Sequence, residues 1–230
     1  NSFKFSKEKR KFKINHLAIS NSEKEINELI QAGYDTAIPL GYPIKSAYFY
    51  NLKEKYQKNE NLNILFLPRA IGPKLSERDA EKYLMEIKRI TEKYFPLNKI
   101  VIHLHLKERS NFFIKTIKNK NLNNIVIKSG NPIKEIINSR LVICNLTSAI
   151  FIAYCLNIPA VELFIGKNET SDFIKSNVTT YSQMGFESYR DFDSFEKFIK
   201  NFDNENFKFN LKNNFDNLDT SSLTKAIFNN

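Results

Sequence analysis

The stretch VIHLHLKE, Val101 to Glu108, ends an apolar run with His103 and His105 two positions apart. In a strand, side chains at i and i+2 point to one side, so this spacing predicts two neighbouring rings. Imidazole is neutral or charged near pH 7 and can donate to a phosphate, with Lys107 supplying charge beside it. Packed under a helix and hydrogen-bonded there, the same pair would be inert. Three other groups offer related chemistry. Arg69, Gly72 and Lys74 follow the apolar run LNILFL, where a guanidinium and backbone N–H groups can meet phosphate. Thr147 and Ser148 follow RLVIC directly, and hydroxyls at a helix N-terminus make an anion site. Glu162, inside AVELF, can accept from ribose or sugar hydroxyls. Each also has a plainer role: Thr147 and Ser148 as N-caps, Arg69 as the partner of Asp79, Glu162 at an edge facing water. Convergence favours the ligand role, because all four groups fall at the ends of predicted strands.

Those strands belong to a regular alternation of short apolar runs with amphipathic stretches, which predicts βα units and a parallel sheet. Strands are expected at residues 14–20, 36–40, 62–67, 99–106, 124–128, 141–144 and 160–164. Helices are expected over 76–94, where Ala80, Tyr83, Leu84, Ile87 and Ile90 recur at helical spacing, and over 110–118 and 148–156. Ser76 with Asp79 makes a capping signal, and Asn131 before Pro132 opens another helix. The fold class is α/β: a Rossmann-like parallel sheet over residues 61–201, with helices on both faces. Residues 1–60 read as the last elements of a preceding domain, with a boundary in the polar, lysine-rich stretch 50–63. Residues 202–230 read as a terminal helix and tail. In open parallel sheets, ligands bind outside the carboxyl ends of the strands, so the candidate residues converge on one edge.

Composition narrows the partners. The chain has 230 residues and a net charge of +10, from 35 Lys and Arg against 25 Asp and Glu. No RNP-like strand, zinc-finger spacing or Gly-rich KH loop accompanies that charge, so nucleic acid is not expected. The compact cluster KEKRKFK, Lys7 to Lys13, fits a solvated face or contact with an anionic membrane surface. No run approaches ~18 apolar residues, and no transmembrane helix is expected. The two cysteines, Cys144 and Cys155, lie in apolar segments without metal-ligand spacing and read as reduced core thiols of a cytoplasmic protein.

Three stretches carry a family resemblance. HLHLKE resembles the K-x-H-P-(R/K)-(E/D) motif of bacterial capsule and lipooligosaccharide transferases, a group that includes sialyltransferase, polysialyltransferase and glycerophosphate transferase relatives. SRLVICNLTSAIFIAYCLNIPAVEL resembles their paired-serine block, with Thr147 and Ser148 at the hydroxyl positions. LGYP, Leu40 to Pro43, looks like the turn leading into the donor domain of GT-B glycosyltransferases. Leu106 stands at the motif proline, His103 at the usual lysine and Thr147 at a serine.

The resemblance, over residues 14 to 165, implies the nucleotide-sugar-binding half of a GT-B glycosyltransferase of surface polysaccharide synthesis, with a CMP-sugar as one candidate donor. It implies that His105 contacts the donor phosphate as the catalytic group and that Thr147 and Ser148 bind the same phosphate. The resemblance implies no cofactor or metal; the partners are the donor and a glycan acceptor. The enzyme would lie in the cytoplasm, with a peripheral membrane contact. Alternatives are a sugar-phosphate transferase, a sugar-nucleotide epimerase and a non-catalytic scaffold. The general base remains open, Asp35 being a distant candidate. Two domains of ~100–200 residues do not both fit, so the chain reads as a donor-binding half. Phe202, Phe207, Phe209 and Phe215 would then form an apolar patch where a missing domain docks; the alternative is that they cover the chain's own core.

Overall fold

The structure is a computed structural model that describes residues 17–20, 27, 30–31, 36–39, 47–56, 63–72, 75–108, 111–165 and 179–210. The segments LGYP and KEKRKFK, with Asp35, Lys74 and Phe215, lie outside the described residues. The chain divides into two compact units, the larger running from Phe49 to Asn210. In the smaller unit β1 (Leu17–Ser20) pairs in parallel with β2 (Thr36–Pro39).

The larger unit is built on a six-stranded sheet of β3 (Asn63–Leu67), β4 (Ile100–His103), β5 (Ile125–Lys128), β6 (Ser139–Cys144), β7 (Ala160–Leu163) and β8 (Ser188–Tyr189). Every pairing is parallel, and the spatial order is β5-β4-β3-β6-β7-β8. The chain therefore enters at the centre, works outward to β5, and returns to the other side of β3 as β6. The inner strands NILFL, IVIH, SRLVIC and AVEL are almost wholly buried, as a sheet covered on both faces requires.

Alternation divides those strands between two cores. Ile64, Phe66, Ile100, Ile102, Leu141, Ile143, Val161 and Leu163 face a cluster from α2 (Glu77–Tyr94), α3 (Phe112–Asn119) and α7 (Phe192–Lys200), the last preceded by the short α6 (Thr180–Gln183). Leu65, Val101, Val142 and Ala160 alternate with these, toward the buried side chains of α4 (Ile133–Ile137) and α5 (Ala149–Cys155). Each large apolar side chain brought out of water contributes about 1.5–3 kcal/mol. The exposed pairs Arg89–Glu196 (2.6 Å) and Lys93–Glu196 (2.8 Å) also join α2 to α7, but such pairs contribute only ~0–1 kcal/mol. Packing holds α7; the ion pairs trim it.

Caps set the helix starts. Ser76 Oγ accepts from the Asp79 amide at 3.1 Å, as its spacing predicted. Asn131 Oδ1 accepts from the Ile133 amide at 3.1 Å ahead of α4. Asp191 does the same for α7, accepting from the Ser194 amide at 2.7 Å.

Several expectations shift. The polar stretch expected at a domain boundary contains α1 (Ala47–Tyr56). Tertiary contacts hold it: Asn138 Nδ2 donates to the Tyr56 carbonyl at 3.0 Å, and Lys134 Nζ lies 4.9 Å from the Tyr56 ring centre. The histidine strand stops at His103 rather than Leu106, because the Glu108 amide donates to the His105 carbonyl at 2.8 Å and closes a turn. Phe202, Phe207 and Phe209 do not form a free docking patch. Phe202 meets Phe95 edge-on at 6.1 Å, and Phe209 lies 5.1 Å from both Tyr154 and Phe207, covering their own domain.

Candidate functional site

The sheet order reverses between β3 and β6, the position at which open parallel sheets bind ligands outside the carboxyl ends of their strands. Arg69 leaves the end of β3, and Leu146, Thr147 and Ser148 leave the end of β6. Arg69 Nη1 spans the gap to the Leu146 carbonyl at 3.5 Å, the long limit of a hydrogen bond. Leu146 has φ 48°, a left-handed conformation that costs a branched residue about 1–3 kcal/mol. Its neighbour holds it there. The Asn145 amide donates to the Leu67 carbonyl at 3.0 Å, and Asn145 Nδ2 donates to Tyr83 Oη at 3.0 Å and to the Leu163 carbonyl at 3.1 Å.

Ser148, exposed, has helical φ/ψ and makes no side-chain cap bond to α5, so its hydroxyl is not engaged as an N-cap. Thr147, half-buried, accepts from the Ala149 amide at a long 3.4 Å. The plain capping role therefore fits Thr147 only weakly and Ser148 not at all.

The next loop over, after β4, adds His105 and Lys107. His105 is half-buried, and its Nδ1 accepts from the Lys107 amide at 3.0 Å. The neutral ring then carries its proton on Nε2 and remains a donor without charge. Burial holds its pKa below the usual histidine value, and the Arg69 and Lys107 charges add to that, while Glu108 opposes them. Arg69, His105, Lys107 and Glu108 thus act on one another electrostatically across two loops. This arrangement suits an anion: a guanidinium, a neutral imidazole donor, an ammonium group and hydroxyls.

Two amides of the loop after β3 are already taken. Ile71 N–H donates to Glu108 Oε2 at 2.8 Å. Gly72 N–H donates to the Leu75 carbonyl at 2.9 Å, and the Leu75 amide returns a bond of 3.1 Å. Gly72 serves a tight bridge here rather than offering a free amide. Its φ of 159° and the open space where a Cβ would stand fit that use.

His103 and Glu162 sit apart from this cluster. Register places Lys128, His103, Cys144, Glu162 and Ser188 at one level on one face of the sheet, with Leu67 between His103 and Cys144. His103 is 4% exposed, and burial lowers its pKa against the opposing charge of Glu135. Its Nε2 has no hydrogen-bond partner among the described residues. Glu162 is 0% exposed rather than turned to water at an edge. It accepts from Thr179 Oγ1, and from Ser188 Oγ at 2.7 Å. Burial raises its pKa; the two hydroxyls and Arg190 partly offset that. One strand, β6, separates β7 from β3, two spacings or about 10 Å in all. Glu162 braces β7 against β8 from inside.

Sequence reading missed Asn145, Tyr83 and Glu108 as site supports. Glu108 had a signal, since it fills the acidic place of the motif. The partnership of Tyr83 with Asn145 is tertiary and had none.

Neither a protein-family profile nor a curated sequence matches the chain. Solved structures do. The chain is similar to Methanocaldococcus jannaschii UDP-GlcNAc 2-epimerase, solved in complex with UDP-GlcNAc and UDP, with 17% identity and a TM-score of 0.55 over 92% of this chain and 60% of that one. It is also similar to the wall teichoic acid polymerase TagF, with 15% identity and a TM-score of 0.51 over 91% of this chain and 56% of that one. The chain thus spans 60% or less of the length of either protein. At these identities the likeness is one of fold: the Rossmann-like parallel sheet expected from the sequence, matching neighbours of GT-B architecture.

Proposed function

We infer that the larger unit binds the donor of a glycosyltransferase, a nucleotide sugar, with its phosphate in the crevice between β3 and β6. One observation carries this reading. Arg69 and the Leu146–Ser148 segment face each other across the point where strand order reverses, and His105 and Lys107 flank them from the β4 loop. On this reading the three loops present their donors and positive charge to one phosphate. The fold's solved neighbours include one protein with UDP-GlcNAc and UDP bound and a wall teichoic acid polymerase, which supports the class of ligand. The finer kinship, with transferases bearing the histidine–proline motif, rests on His105, Lys107, Glu108 and the Thr147–Ser148 pair.

In such a reaction the bond between the sugar and the phosphate breaks, and negative charge grows on the departing phosphate. His105 Nε2–H donates to that phosphate without having to be protonated. Arg69 and Lys107 neutralise the charge, and the Ser148 and Thr147 hydroxyls share it. Donors that already point at a developing charge stabilise the transition state more than the substrate. These residues require no metal for that role. Transfer to a glycan acceptor of the cell surface, at the inner face of the membrane, is the whole-protein activity that this site would serve.

Binding is testable at once. UDP, CDP and CMP are each added to the 230-residue chain and its melting temperature is followed. Saturation at ~100-fold above the dissociation constant stabilises by about 2.7 kcal/mol. A shift with at least one of them is expected; no shift with any removes the nucleotide reading and leaves the scaffold alternative. An epimerase or a sugar-phosphate transferase would use the same phosphate contacts, and product analysis separates those activities.

A further inference from the structure

The loops after β3 and β4 are joined by Glu108, a residue to which no contact with the ligand has been assigned. Its N–H donates to the His105 carbonyl at 2.8 Å and closes the turn that carries His105 and Lys107. Its side chain reaches the other way. Oε2 accepts from the Ile71 amide at 2.8 Å, 37 positions earlier in the chain. One end of Glu108 fixes the turn with the imidazole, and the other fixes the loop with the guanidinium. A carboxylate on a backbone N–H makes a bond roughly twice as strong as a neutral one, which suits a clamp between two loops.

We propose that Glu108 is the positioning residue of this phosphate site, holding Arg69 and His105 at a set separation rather than touching the ligand. The inference rests on the nucleotide reading given above. Two properties of the carboxylate are separable. As an acceptor it ties Ile71 to the β4 loop. As a charge it opposes Arg69 and Lys107, which together with burial drive the His105 imidazole toward its neutral form. Those three are the charged groups acting on His105 among the described residues. A rival arrangement uses the same contact in reverse. The Ile71 N–H is a donor that an anionic ligand oxygen would accept from, so Glu108 would be an occupant that the ligand displaces. Clamp and occupant predict opposite effects on affinity.

The test compares the 230-residue chain with Glu108→Gln, Glu108→Ala and Glu108→Asp. Gln keeps an acceptor for Ile71 and loses the charge; Asp keeps the charge and loses the reach; Ala loses both. By NMR, the His105 ring should titrate at lower pH in the Gln and Ala variants, and Ile71 amide exchange should quicken in Ala and Asp only. UDP-GlcNAc and CMP-sialic acid, whose phosphates do not titrate between pH 6 and pH 8, serve as probes in calorimetric titrations. Affinity should fall about tenfold in Ala and Asp and stay within about threefold of the parent in Gln. Unchanged affinity in Ala overturns the clamp, and tighter binding establishes the occupant instead. Should the Ala variant fail to fold, Asp replaces it: parent-like affinity in Asp overturns the clamp equally. A parent chain that binds neither probe sinks the nucleotide reading and this inference together, whereas a binding parent with unaffected variants sinks the clamp alone.

Discussion

Asn145 Nδ2 donates to Tyr83 Oη at 3.0 Å, joining two residues 62 positions apart inside the larger unit. Tyr83 Oη in turn donates to the Leu163 carbonyl at 3.2 Å and accepts from the Ile165 amide. One hydroxyl from α2 thereby pins the carboxyl ends of β6 and β7, just where the chain turns into Leu146 and the site. Tyr83→Phe keeps the ring and its stacking on Phe66 but leaves the Ile165 amide without its acceptor and Asn145 Nδ2 with the Leu163 carbonyl alone. Leaving buried donors unpaired costs about 1–3 kcal/mol. Urea unfolding should show a loss of that size with an unchanged slope.

Ser148→Asp places a negative charge where a phosphate is proposed to sit. Ser148 is exposed and makes no cap bond, so the fold should tolerate the change. Nucleotide affinity should fall by ~1–3 kcal/mol, the size of a lost charged hydrogen bond. His105→Asp should act the same way. Calorimetric titration measures both, and melting temperatures of the unliganded variants near the parent's make the comparison valid. Parent-like affinity in both would move the site elsewhere.

Acid should loosen α7 through a single carboxylate. Arg89 and Lys93 hold the Glu196 carboxyl well below the usual carboxylate range, at a pKa of about 2. A carboxyl group depressed in the folded state stabilises it above the unfolded pKa, and that stability is lost as pH falls toward the folded value. The urea midpoint should therefore drop between about pH 4.5 and pH 2, and Glu196→Gln should flatten that part of the profile. An unaltered profile would show that the pairs seen on the surface contribute nothing.

Glu162 should respond in the opposite sense. Burial raises its pKa, so its contribution is complete below the unfolded value and declines as pH rises through the folded one. Glu162→Gln should remove this decline. Urea midpoints measured for parent and variant across the same pH series would diverge as pH rises from the unfolded to the folded pKa if burial governs this carboxyl. Parallel curves would mean that Arg190 fully compensates the charge.

The inner strands were legible because buried parallel strands read as unbroken apolar runs, and Ile64 to Leu67 or Leu141 to Cys144 have no other reading. Helix α2 announced itself through Ser76, Asp79 and the spacing of Ala80, Tyr83, Leu84 and Ile87. The edge of the sheet was harder. Strand β8 is two residues long and half-buried, so it carries no period at all. Helix α1 hides its packing behind lysines, since what holds it is the Tyr56 carbonyl and ring rather than an apolar stripe. In the site, residue type pointed to Arg69, His105 and Ser148, and the fold sets them in the loops that follow β3, β4 and β6. Type could not say that His103 and Glu162 would be buried along a separate row, because that depends on where β4 stops and on how deeply β7 is covered.

The central claim is that the crevice between β3 and β6 holds the nucleotide's phosphate. Amide chemical shifts of the 230-residue chain, followed while UDP or CMP is added, test it most directly. Perturbations should centre on Arg69 to Gly72, His105 to Glu108 and Leu146 to Ala149, in the loops that follow β3, β4 and β6. Shifts confined to β8 and α7, or saturating binding that leaves those three loops unmoved, would contradict it.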